Sequence, residues 1–129
     1  MIIELYILLA TALLLLALAF VSATLHGGQV GQPAMEGNRD NIPSPTGAAQ
    51  RASRAHQNLL ENAVPFAIAV LTAQALHIST PLTQIAAIVF LLARLTHAIV
   101  YIAGIPVVRT LAWFAGVGAT VAIGLAILA

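Results

Sequence analysis

Four long runs of predominantly apolar residues alternate along the chain with short polar or Pro/Gly-rich breaks. A bilayer's hydrocarbon core, about 30 Å thick, needs roughly 20 apolar residues per helix, and each run meets that length. The first, 2–25, is rich in Leu, Ala and Ile and has no polar stripe, so it is predicted to anchor the chain among lipid and other helices. Its Glu4 stands where a signal peptide would carry basic residues, and the run exceeds a typical signal core, so it reads as a retained helix. Residues 26–47 gather five glycines and three of the prolines around Glu36, Arg39 and Asp40 and are predicted to form an aqueous loop.

The second helix is predicted over 48–76, with Pro65 inside it removing one backbone hydrogen bond. Membrane helices tolerate such a proline. A turn at 77–81 leads to a third helix over 82–102, and Gly104-Ile105-Pro106 leads to a fourth over 106–128, with Pro106 suited to its first turn. In the fourth, Ala112, Gly116, Thr120 and Gly124 recur every four residues, a small-residue ladder that lets a neighbouring backbone approach closely. No internal repeat relates the two halves, which leaves an inverted-repeat transporter unsupported.

Composition sharpens this into an all-α membrane protein, a single four-transmembrane-helix bundle. Of 129 residues 60% are hydrophobic and 7% charged, which excludes a water-soluble monomer. There is no cysteine, so thiolate metal ligands and cysteine nucleophiles are excluded and any thiol chemistry must use a substrate's sulfur. No metal site is predicted. A net charge of +1 offers no footprint for nucleic acid. Arg39, Arg51 and Arg54 lie in or beside the first loop and Arg109 just after the Gly104-Ile105-Pro106 turn, and the positive-inside rule places both connections in the cytoplasm with both termini outside.

The candidate chemistry lies in the second and third helices. At 100° per residue, Arg51, Arg54, Asn58 and Glu61 share an arc of roughly 80° on one side of the second helix, while His56 points nearly the opposite way. Arg94, His97 and Tyr101 share one face of the third. An arginine at bilayer depth costs about 2.5–3.5 kcal/mol on insertion scales and needs a partner. Glu61, the only acidic residue of the last three helices, is the expected partner in a buried ion pair. One glutamate does not neutralise Arg51, Arg54, Arg94 and Arg109 together, so a site built from them holds surplus positive charge and suits an anionic guest. Against this stands the plainer reading, in which Glu61 and Arg94 merely pair between helices. His26 and His77 are predicted to be solvated, Trp113 and Phe114 to belong to an interfacial aromatic belt, and Thr110 to bond either a ligand or its own backbone.

The run Arg51-Ala-x-Arg54-Ala-His56-x-Asn58-x-x-Glu61-Asn62-x-x-Pro65-Phe66, then Ala93-Arg94-x-x-His97-x-x-x-Tyr101 and Arg109, resembles the MAPEG family, the membrane-associated proteins in eicosanoid and glutathione metabolism. The resemblance covers essentially the whole chain. It implies a homotrimer of four-helix protomers with glutathione, as co-substrate, bound between subunits near the cytoplasmic side. Its characterised enzymes are microsomal glutathione transferases and peroxidases, the leukotriene synthase and the microsomal prostaglandin E synthase. By the same resemblance Arg54, Asn58, Glu61, Arg94, His97 and Tyr101 match glutathione-contacting positions, with Arg51 in the same motif, and Arg109 matches the arginine that stabilises the thiolate. Gln57 departs from the prostaglandin synthase, which has an arginine there. The chain looks like the short bacterial members, implying a bacterial inner membrane. The expected function is a glutathione-dependent transferase or peroxidase acting on lipophilic electrophiles; the alternative is a non-enzymatic protein holding an anionic lipid or amphiphile in an arginine-rich pocket.

Overall fold

Helix boundaries follow local chemistry. The computed structural model describes residues 2–129, which form α1 (Ile2–Val30), α2 (Gln32–Glu36), α3 (Gly47–Ala75), α4 (Pro81–Ala103) and α5 (Pro106–Leu128), with no strand among the described residues. The first helix continues past Leu25 through Gly27 and Gly28 to Val30, and part of the expected loop is the short α2. Two side chains fasten what remains of that loop to α1. Gln29 bonds Thr46 twice, donating to its carbonyl at 2.9 Å and accepting from its N–H at 3.1 Å, and His26 Nε2 donates to Pro43 O at 2.9 Å.

The turn from α3 to α4 closes with a left-handed His77, φ 56°, whose N–H reaches Gln74 O while that of Ile78 reaches Ala73 O. Helix α4 then starts on a reciprocal cap, Thr80 Oγ1 accepting from Thr83 N and Thr83 Oγ1 from Thr80 N, with Pro81 in the first turn. It ends on Gly104, φ 82°, a conformation that carries little penalty only without a Cβ, and Pro106 opens α5.

Helix α1 packs chiefly on α3 and α4 on α5, and α3 and α4 join the two pairs. Within lipid, close packing rather than water exclusion holds helices together, which favours small side chains at the contacts. Accordingly α3 buries Ala49, Ala52 and Ala55 along its first half, then Leu59, Phe66 and Val70. Phe66 and Phe90 stack with centroids 3.8 Å apart inside a cluster completed by Val70, Ala87 and Ile123. A second apolar cluster, of Leu18, Leu59 and Ala98, lies toward the other end of the bundle.

Three long helices, α1, α4 and α5, are apolar enough to cross a membrane; α3 matches their length, but its first half carries Arg51, Arg54 and Glu61. It needs protein rather than lipid on that side.

The first helix is more than an anchor. Glu4 is 2% exposed, and its Oε1 accepts from Thr83 Oγ1 at 2.7 Å and Ser79 Oγ at 2.9 Å. A lone acidic residue in a first turn gives no sequence sign of such a bond, because its partners lie 75 and 79 residues away. Glu4→Ala removes the carboxylate on which both hydroxyls converge, leaving Thr83 with Thr80 O at 2.9 Å, and the expected loss is about 1–3 kcal/mol, read as a lower melting temperature in detergent.

Candidate active site

The first half of α3 runs antiparallel to the second half of α4, beside the start of α5, so one end of the bundle collects the polar residues of all three. Arg94 emerges from α4 about 14 Å before its C-terminal end, at 1.5 Å per residue. The side chain is 1% exposed. Its Nη2 donates to Asn58 Oδ1, while Nε and Nη1 are buried with no hydrogen-bond partner among the described residues. Asn58 Oδ1 is further approached by Asn62 Nδ2 at 3.4 Å.

Space for the guanidinium comes from α5. A Cβ on Gly116 would stand 3.0 Å from Arg94 Cδ and 3.3 Å from Nη1, so that member of the small-residue ladder receives a side chain, not another helix backbone. A Cβ on Gly118 meets nothing within 4 Å. Gly118→Ala is therefore expected to be neutral or stabilising by up to about 1 kcal/mol, from helix propensity alone. Gly116→Ala is expected to destabilise and to loosen Arg94 from Asn58; equal melting temperatures for the two variants would contradict this packing.

One turn further along α4, His97 is 3% exposed and meets Tyr101 edge-on, with ring centroids 5.3 Å apart. Arg109, from the first turn of α5, lays its guanidinium over the other ring of that pair, Cζ 4.6 Å from the Tyr101 centroid. Asn58, His97, Tyr101, Arg109, Thr110 and Trp113 line an open pocket of about 230 Å³. No carboxylate forms an ion pair with Arg94 or Arg109 among the described residues.

Five of the eight expected residues thus gather: Asn58, Arg94, His97, Tyr101 and Arg109. The expected buried pair between Glu61 and an arginine is absent. Glu61 is exposed and accepts from Gln57 Nε2 at 3.2 Å, because α3 is rotated to turn Asn58 toward Arg94. Arg54 is exposed as well, and Arg51 is spent on the end of α4, its Nε donating to Ile102 O at 2.9 Å. That carbonyl belongs to the helix terminus, where a cation is favourable. His56 points away from the pocket into a separate cavity.

Two further residues line the pocket: Trp113, expected in an interfacial belt, and Thr110, for which a ligand and its own backbone were both expected as partners. Trp113 lines the pocket, touching Phe114 edge-on at 5.0 Å, and its four-residue spacing from Arg109 is the signal that puts both on one face. Thr110 lines it too, while its hydroxyl donates to its own backbone at Pro106 O, 3.1 Å away. A larger groove, about 440 Å³, lies elsewhere, on the outer face of α4 and α5, and its lining is almost wholly apolar. Its lack of ionisable groups sets it aside as a centre of polar chemistry.

Comparison with known families matches residues 4–129 to the MAPEG family. No curated protein sequence matches the chain.

Proposed function

Because the chain belongs to the MAPEG family, whose members are membrane proteins of glutathione and eicosanoid metabolism, we propose that it is a glutathione-dependent transferase or peroxidase acting on lipophilic electrophiles. The observation that carries this reading is the uncompensated charge at the pocket. Arg94 is buried behind Asn58 with two nitrogens lacking partners, and Arg109 stands over Tyr101 with no carboxylate paired to either. A buried cation without a counter-ion is costly, and an anion bound in the pocket relieves that cost.

Glutathione supplies carboxylates for such a site and a thiol whose anion is the nucleophile. Arg109 is the catalytic residue in this reading: beside the sulfur it favours the thiolate, and the N-terminal end of α5 adds a positive dipole of the same sense. The thiolate attacks the electrophilic atom of the co-substrate, forming a carbon–sulfur bond as the leaving group departs with its electron pair. With a hydroperoxide it attacks the distal oxygen, forming a sulfur–oxygen bond as the O–O bond breaks; the alkoxide leaves as the alcohol after protonation, and a second glutathione converts the resulting sulfenic acid to the disulfide, releasing water. Tyr101 and His97, in edge contact, shape the pocket's wall, and Asn58 transmits the positive potential of Arg94 to its surface.

Self-association follows from the same charges. Arg54, Gln57 and Glu61 are exposed on the face of α3 that its neighbouring helices leave uncovered. In the proposed homotrimer a neighbouring copy covers them, Arg54 and Glu61 reach the ligand at the subunit boundary, and the four long helices each span the membrane. The pocket end, which carries Arg39, Arg51, Arg54 and Arg109, faces the cytoplasm of a bacterial cell.

The test is turnover of an aryl halide and of a lipid hydroperoxide by the purified protein in lipid nanodiscs, with and without glutathione. The expected result is glutathione-dependent consumption of at least one. A tightly held phospholipid with no thiol-dependent turnover would instead favour a non-enzymatic amphiphile-binding protein.

A further inference from the structure

A second polar cavity lies on the far side of α3 from the pocket. It occupies about 350 Å³ between α1, α3 and the loop, where Ser22 and His26 face Ser53 and His56, and Arg39 and Met35 close it. An adjoining cavity of about 410 Å³ shares Ala23, Met35 and Arg39 and adds Glu36 and Gln32. Arg39, at φ 64°, turns back so that its Nε donates to Met35 O at 2.7 Å, which leaves the terminal guanidinium nitrogens without a protein partner among the described residues. Glu36, exposed, is approached among the described residues only by Gln32 Nε2, at 3.5 Å.

Depth relative to the bilayer follows from length. A 29-residue α1 is about 43 Å long against a hydrocarbon core of about 30 Å, so its last turns reach the headgroup layer. The cavity's floor, Ala19 to His26, therefore runs from the edge of the hydrocarbon into that layer. Leu16 and Phe20, exposed at 59% and 75%, continue the surface toward the membrane centre.

We infer that these two cavities together hold the headgroup of a zwitterionic phospholipid, its phosphate on Arg39, His56 and Ser53 and its ammonium on Glu36, with acyl chains along Leu16 and Phe20. The charges select this class. The lining of the two cavities carries one guanidinium, Arg39, and one carboxylate, Glu36, so a purely anionic headgroup leaves Glu36 unmatched, whereas a phosphate and an ammonium a few bonds apart match both. A primary ammonium also donates hydrogen bonds to Glu36, which a quaternary one does not. The inference is independent of the glutathione reading, because no residue of the two cavities lines the candidate active site.

Full-length protein, delipidated and then incubated with equimolar phosphatidylethanolamine, phosphatidylcholine and phosphatidylglycerol, is analysed for retained lipid by native mass spectrometry. The expected result is selective retention of phosphatidylethanolamine, reduced about fivefold in Arg39→Gln, the scale of one solvent-accessible charge contact. Glu36→Gln is expected to remove the preference over phosphatidylcholine, and Arg109→Ala, outside both cavities, to leave retention unchanged. Soluble phosphoethanolamine added as competitor separates the headgroup from the acyl chains: displacement assigns the affinity to the headgroup. Equal retention of the three lipids, or retention that survives Arg39→Gln, overturns the inference, as does loss of retention in Arg109→Ala.

Discussion

Arg109→Ala is expected to lower glutathione-dependent turnover by about 10²–10³-fold, the scale on which removal of one preorganised group at a developing or stabilised anion acts. Arg109 lies over Tyr101 and lines the pocket, so the variant removes the charge nearest the place where a sulfur anion would sit. Glutathione binding is expected to fall far less, because Arg94 still makes the pocket positive. The pH dependence changes with it: without the guanidinium the thiolate forms only at higher pH, so the rising limb of the rate profile moves toward alkaline pH. Arg109→Lys, which keeps the charge but loses the planar stack on Tyr101, is expected to retain part of the rate. Kinetics as a function of pH for the three proteins check this, and an unchanged kcat in Arg109→Ala would remove that residue from the chemistry.

The second large effect has opposite signs for stability and function. Arg94→Met replaces a buried guanidinium, two of whose nitrogens lack partners, with an apolar side chain of related length in the cleft that Gly116 leaves open. Exchanging a buried charge for a packed hydrophobe is often neutral or stabilising by about 1–4 kcal/mol. The ligand-free variant is expected to melt at the same temperature as the wild type or higher. The same change removes the positive potential behind Asn58, and the expected loss of glutathione affinity is about 2–5 kcal/mol, more than tenfold in Kd. Differential scanning fluorimetry with and without glutathione separates the two: the wild type is stabilised by the ligand and the variant is not. A variant that unfolds more readily without ligand yet binds as well would mean that Arg94 serves the fold alone.

Much of this was legible in the sequence because helical periodicity carries it. The spacing of Arg94, His97 and Tyr101 put them on one face of α4, and hydrophobic length with proline and glycine breaks marked the long helices. What sequence did not contain was the rotation of one helix against another. Asn58 and Glu61 lie only 60° apart on α3, so a small turn about the helix axis decides which of them meets Arg94. The structure turns Asn58 inward and leaves Glu61 with Gln57, which undoes the expected ion pair and makes the pocket more positive than the sequence reading required. Arg51 escaped in the same way, since the carbonyl it bonds belongs to another helix 51 residues on. Gly116 and Trp113 were within reach: they follow Arg109 at seven and four residues, on the same stripe of α5.

The reading as a whole turns on whether this pocket holds glutathione as its thiolate. Ultraviolet difference spectroscopy of the protein in nanodiscs, titrated with glutathione at neutral pH, reports that species directly. The account predicts a saturable thiolate band in the wild type, accompanied by proton release and lost in Arg109→Ala. Glutathione left wholly as the thiol at saturating, millimolar concentrations, or no saturable signal at all, would contradict it.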